Sequence, residues 1–431
     1  MDSRTKPDRR SAARDRLGLP AIAGQRALAA SLVVDSLGDG LFVPFAIIYF
    51  LHTTSLSLPT IGVALSAAGF VAIGTVIPAG VLLDRLPPAR LVVTANLLSA
   101  VAFAGYLTVS HIWQLVLFAL LAAVGSRLYW TANLALIGDA FAPADRSRWF
   151  AFQRALRNTG FGLGGLLGAV AISVGSTAGY HALAAVNAVS YLAAALLVFT
   201  WARRRWRHRA DRDGTPSSAV SVQLPTASTP AARPGGFRIA LTDRPFLLIV
   251  ATNLLFVLCS LVLDVLLAVY VTRGLGLPVW LTGVLFALNT GVVALAQTIT
   301  SRTVEGLTSV RMLQLTALVW ACAFAVFWLS GLVPAPAAIA LLLIAVLVFT
   351  LAEMIQGPAL NNLVVAIAPE AVRGRYLGVY QLSWGAGSAA APALFSWLYT
   401  GSSQLPWIVL GLGCLAWAGL LGLKARQLAD R

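Results

Sequence analysis

"GVLLDRLPPAR", residues 80–90, places an acid and two arginines in a sharp break between stretches that carry no charge at all. A related break, "SRTVEGLTSVR", stands at residues 301–311. A shift of 221 positions puts Asp84 on Glu305, Leu86 on Leu307 and Arg90 on Arg311, and also Gly62 on Gly283. At a shift of 227, "RSRWFAF" (146–152) falls on "RGRYLGV" (373–379). The chain therefore reads as two related halves, and any account of the first break has to serve the second.

The surroundings of the breaks set the class. The 431 residues are 58% hydrophobic and 11% charged, against about 25% charged in an ordinary globular chain. Residues 40–83, 91–126, 158–202, 274–301, 312–352 and 376–423 contain no Asp, Glu, Lys or Arg. A bilayer-crossing helix takes roughly 20 apolar residues, so most of these runs hold two spans and a turn. In hydrocarbon only helices and closed barrels satisfy their own backbone, and the alternating pattern of a barrel is missing. The expected fold is an all-α membrane protein.

Turn signals divide the runs into twelve spans: 27–51, 60–83, 91–110, 112–138, 156–175, 180–201, 246–271, 279–300, 310–330, 336–359, 376–399 and 405–423. This organises the chain as an N-terminal tail (1–26), a six-helix half (27–201), a linker (202–245), a second six-helix half (246–423) and a C-terminal tail (424–431). The linker begins "RRRWRHR" and continues in a Ser/Thr/Pro/Ala-rich tract without apolar period, the composition of a flexible connection. No apolar h-region occurs in the first 26 residues, so no cleaved signal is expected.

Positive charge fixes the expected orientation. Counting Arg157 and Arg311, at the inner ends of their spans, with the loops they border, the N-terminal tail holds seven Lys or Arg, the loops on the same side two, four, nine, two and two, and the C-terminal tail three. That is 29 of 31; the opposite loops hold only Arg273, and Arg127 lies within a span. Such asymmetry places both termini in the cytoplasm of a multi-pass protein of the plasma (inner) membrane. It also accounts for the net charge of +15 without nucleic acid. Cys259, Cys322 and Cys414 all fall in apolar segments and read as small core residues, and no metal-ligand pattern is present.

The opening stretch resembles the loop between the second and third spans of the major facilitator superfamily, G-x-x-x-D-[RK]-x-G followed by basic residues. Gly80, Asp84 and Arg85 match; Pro87 stands where the pattern has glycine, and Arg90 is what remains of the basic cluster. The resemblance implies the twelve-helix, two-half fold of that family. It also implies that this element, Gly80, Asp84, Arg85 and Arg90 with Glu305 and Arg311 in the second copy, latches the halves in the outward-open state. In the family the first, fourth, seventh and tenth spans line a central cavity.

A charge at mid-bilayer costs about 2.5–3.5 kcal/mol on insertion scales and so marks function by default. Asp35 and Asp39 in "VVDSLGDGLF" stand four apart, on one face of the first span. Arg127 in "GSRLYW" lies at a matching depth on the fourth and is expected to reach that face. Asp264 ("LVLDVLL") and Glu353 ("LAEMIQGP") belong to the seventh and tenth spans. The acids read as protonatable, cation-binding groups, Asp39 being favoured for the proton. A permanent Asp–Arg tie between spans, or for Asp264 a polar helix contact, is the alternative. Phe42, Phe45, Tyr49, Tyr129, Trp130, Asn133 and Gln356 could line an amphipathic pocket, although such residues are more often core. Gly160, Gly162, Gly164, Gly165 and Gly168 permit close packing of the fifth span. Family exporters often end a glycine-rich motif here in Gly-Pro, and no proline follows.

The expected function is secondary active transport of a small molecule by alternating access, proton-coupled, exporting hydrophobic or cationic compounds. A sugar or metabolite permease of the same fold is the alternative, and a membrane-embedded lipid-modifying enzyme a weaker one. No catalytic cluster, cofactor or P-loop is expected. The expected partners are substrate, protons and the lipid bilayer, and the expected state a monomer.

Overall fold

The computed structural model describes residues 24–141, 143–173, 176–213, 238–304, 306–367, 369 and 372–429. The first rod is α1 (Arg26–Phe42), a 3-10 turn at Val43–Phe45 with Pro44, and α2 (Ala46–Thr53). There follow α3 (Leu58–Ile73), α4 (Val76–Arg85), α5 (Pro88–Tyr106), α6 (Ile112–Ala140), α7 (Pro143–Ser173) and α8 (Thr177–Asp213). The short α9 (Arg238–Thr242) leads to a broken rod: α10 (Arg244–Ser260), α11 (Val262–Val265), α12 (Leu267–Val269) and a π turn at Tyr270–Gly274. Last come α13 (Trp280–Val304), α14 (Ser309–Ser330), α15 (Ala335–Ile367), α16 (Arg373–Gly401) and α17 (Leu405–Ala429).

Among the described residues, nine helices are long and apolar enough to cross a membrane, and Leu58–Ile73 is a shorter apolar one. The remaining expected spans fall on α7 and α16. Both are diluted by glycine, serine and other polar residues, and both pack between the halves. α3 meets α16 and α7 meets α13, the contacts that join the two halves. Small residues let backbones approach closely there, and glycine and serine among them carry little hydropathy.

The contacts are tight. A Cβ on Gly62 would meet Ser396 and the Pro392 carbonyl, and one on Gly69 would lie 3.1 Å from the Ala389 Cβ. Ser66 Oγ accepts the Ala393 amide of α16 at 2.9 Å, directly after Pro392 inside that helix. On the other flank Phe161 and Phe286 pack ring to ring at 5.1 Å, and a Cβ on Gly162 or Gly283 would meet Thr290 or Ala169. The 3-10 turn and α2 touch α11 and α12. These contacts gather toward the end of the bundle away from the termini.

Each half has its own apolar core. In the second, Trp320, Phe324, Phe349 and Trp407 cluster with Tyr270, whose hydroxyl donates to the Phe327 carbonyl at 2.8 Å. In the first, Phe42, Phe45, Tyr49 and Phe50 pack with Phe103 and Tyr106. The expected boundaries move in places: α8 runs on to Asp213, beyond 201, and α7 starts at Pro143 rather than at 156.

Candidate functional site

Glycine spacing builds the first part of the site. Gly160, Gly164 and Gly168 lie along one face of α7, and Cβ atoms there would meet Ser36, the Leu37 carbonyl and the Leu41 carbonyl of α1. Gly40 of α1 returns the contact, against the backbone of Phe161. One turn before Gly160 on that face stands Arg157. It is about 21 Å along α7 from Pro143, a depth comparable to Asp35 and Asp39 on α1.

Arg157 Nη1 donates to Asp35 Oδ2 at 3.4 Å, and its Nη2 lies 3.8 Å from Asp39 Oδ2. The guanidinium sits 4.6 Å over the ring of Trp130. Tyr191 of α8 donates its hydroxyl to Asp39 Oδ1 at 2.6 Å. Asp39 is thus held at both oxygens. Asp35 is 3% exposed, and among the described residues nothing hydrogen-bonds to its Oδ1.

This corrects the expected partner. Arg127 does not pair with the aspartates; its guanidinium nitrogens lie 3.5 and 3.6 Å from where a Cβ on Gly385 of α16 would stand. Depth along α6 was a sound guide, but rotation turns Arg127 toward the second half and Trp130 toward Arg157. Arg157 borders the charged loop, where it reads in sequence as one more of that loop's positive residues. Its spacing of three from the glycine stripe was the available signal.

The second pair sits in the other half. Asp264 occupies α11, a single turn between breaks at Leu261 and Leu266. Glu353 of α15 accepts from Asn289 Nδ2 at 2.8 Å, and the same amide donates to Thr350 Oγ1 at 2.9 Å. Glu353 is near enough to repel Asp264, and Arg154 of α7 is the cation that acts on Glu353 from the other half. Gln356 takes a hydrogen bond from Ser260 at 3.2 Å. Phe42, Phe45 and Tyr49 belong to the aromatic core rather than to either pair; Tyr49 donates to the Tyr106 carbonyl at 3.0 Å.

Of the latch residues, the side chain of Asp84, and Glu305 altogether, lie outside the described residues. Gly80 faces open space, Arg85 is exposed, Arg90 lies 5.2 Å over the ring of Trp206, and the Arg311 amide is capped by Thr308 Oγ1 at 3.4 Å. Among the described residues no group of three His, Cys, Asp or Glu could hold a metal ion.

The sequence profile of the Major Facilitator Superfamily matches residues 28–392. The chain is similar to a Na(+), Li(+), K(+)/H(+) antiporter of Planococcus maritimus, 25% identical over 376 residues covering 81% of this chain and 83% of that protein. It is also similar to the multidrug resistance protein MdtH of Salmonella arizonae, at 22% over 383 residues, 86% of this chain and 87% of the relative. Among solved structures, a mutant of the nucleoside transporter NupG superposes with a TM-score of 0.72 at 13% identity, over 94% of this chain and 99% of that one.

Proposed function

The chain belongs to the Major Facilitator Superfamily, and we propose that it is a proton-coupled exporter of cationic or hydrophobic small molecules. By that membership it is a membrane transporter and not an enzyme. The finer reading rests on one observation: two carboxylates, the buried Asp35 and the part-buried Asp39, share a single arginine.

Two ionised carboxylates and one guanidinium leave one negative charge in a region where net charge is expensive. One proton brings the cluster to neutrality. Asp39 is fully engaged as an anion by Tyr191 and Arg157. The free Oδ1 of Asp35 is therefore the position for the proton, and Asp35, rather than the Asp39 favoured by depth alone, is its carrier in this proposal. Protonation weakens the hold on Arg157, whose helix α7 packs on both α1 and α13. The charge state of one carboxylate thereby bears on an element shared with the other half.

Asp264 and Glu353 carry two potential negative charges, and Arg154 acts on Glu353 alone, an arrangement that suits a cation as cargo. The names of the two curated relatives, an alkali-cation/proton antiporter and a multidrug resistance protein, agree with such cargo. Both termini and the linker are assigned to the cytoplasm from the distribution of positive charge. Proteoliposomes with an imposed pH gradient and a panel of organic and alkali cations test the proposal. It requires gradient-driven accumulation of at least one cation, and accumulation of neutral sugars alone would contradict it.

A further inference from the structure

The end of α8 carries a feature that transport does not use. This helix has 37 residues, about 55 Å, whereas a crossing of the hydrocarbon takes about 20 residues. Val189, Leu192, Leu196 and Phe199 form an exposed apolar stripe along it, at 63%, 50%, 62% and 51% exposure. Their three- and four-residue spacing continues directly to Arg203 and Arg207, both exposed. Neither arginine has a partner among the described residues.

The neighbours on the helix are committed elsewhere. Arg205 turns inward and donates to the Ala140 and Asp139 carbonyls at 3.0 and 2.9 Å, closing the open C-terminal end of α6. Trp206 lies under Arg90 at 5.2 Å and, with Arg205, borders a small groove that Pro87, Pro88 and Asp139 complete. Arg204 is exposed about a quarter-turn away from the stripe. The cluster is thus divided: Arg205 ties helices together, whereas Arg203 and Arg207 end the apolar stripe with two uncommitted positive charges.

We infer that this stripe and its two arginines form a binding surface for an anionic phospholipid, with acyl chain along Val189–Phe199 and phosphate between Arg203 and Arg207. The ligand follows from the geometry. An apolar track about 15 Å long, from 189 to 199, matches an acyl chain rather than a soluble anion. Guanidinium forks suit a phosphate diester, and a tryptophan beside them suits the headgroup level of a bilayer. A zwitterionic lipid would bring its own cation and gain less.

The test uses the full chain, purified in a neutral detergent. After delipidation it is offered equal phosphatidylglycerol and phosphatidylcholine of matched chains, and retained lipid is counted by native mass spectrometry. Wild type should prefer phosphatidylglycerol, and R203Q/R207Q should reduce that preference by roughly fivefold per arginine, the factor expected for a basic residue at an anionic surface. The double variant R203K/R207K keeps the preference, and R204Q, off the stripe, keeps most of it. Equal preference in wild type and R203Q/R207Q would overturn the inference. So would displacement of the lipid by millimolar inorganic phosphate, which would mark a free-anion site. If R203Q/R207Q cannot be purified, the wild-type preference and the phosphate competition decide alone.

Discussion

Arg157 and Asp35 are 122 positions apart in sequence, yet their side chains meet at 3.4 Å in the interior of the first half. The meeting depends on glycine: Gly160, Gly164 and Gly168 remove the side chains that would hold α7 away from α1. Packing and charge are therefore one construction, and each can be tested against the other.

Removing the arginine leaves the buried Asp35 and the part-buried Asp39 with no cation. Breaking a buried pair in this way typically costs about 3–5 kcal/mol. Arg157→Gln should lower the melting temperature in detergent and reduce transport more than tenfold. Arg157→Gln combined with Asp35→Asn and Asp39→Asn should recover stability but not transport. Arg127→Gln, which breaks no pair with either aspartate, should leave stability close to wild type. A thermal-shift series across these variants checks the assignment of Arg157 over Arg127.

The glycine stripe has its own prediction. A side chain at Gly164 would run into the backbone of α1 at Leu37, where no rotamer change gives relief. Gly164→Leu should therefore cost more than the roughly 1–3 kcal/mol of ordinary overpacking and yield little monodisperse protein by fluorescence-detected size exclusion. Gly80→Ala, where the added Cβ meets nothing within 4 Å, should elute like wild type.

The contact between the halves can be trapped. With Cys259, Cys322 and Cys414 replaced by alanine, Gly69→Cys and Ala389→Cys stand close enough for a disulfide. Oxidation should crosslink α3 to α16, stop transport, and be reversed by reductant. Transport that continues at full rate in the crosslinked protein would mean that this contact does not open during the cycle.

The second carboxylate pair should govern affinity. Glu353→Gln removes one of two negative charges opposite the cargo and should raise KM for a cationic substrate about tenfold or more. The dependence of the rate on the pH gradient should persist, since Asp35 and Asp39 are intact. Initial rates over a substrate series at two gradients separate the effects.

Much of this was legible in sequence, for identifiable reasons. Charge-free runs reported the membrane, because desolvation forbids charge in hydrocarbon whatever the fold. The repeat of Asp84–Arg90 in Glu305–Arg311 reported two halves. Depth was legible too, since each residue advances a helix by a fixed rise. Rotation was not: Arg127 and Arg157 reach similar depths, and only packing decides which faces Asp35. The glycine spacing held that information, and Arg157 was hidden by its place beside the positive loop. The breaks around Asp264 have no local cause such as proline, so no reading of "LVLDVLL" would have found them.

Asp35 as the proton carrier is tested most directly by pH-driven accumulation of a cationic substrate in proteoliposomes by Asp35→Asn and Asp39→Asn, each beside wild type. Asp35→Asn should lose uphill accumulation while retaining downhill counterflow that no longer responds to pH. Asp39→Asn should transport more slowly, with its gradient response preserved. Full gradient-driven accumulation by Asp35→Asn would contradict the account and move proton coupling to Asp264 or Glu353.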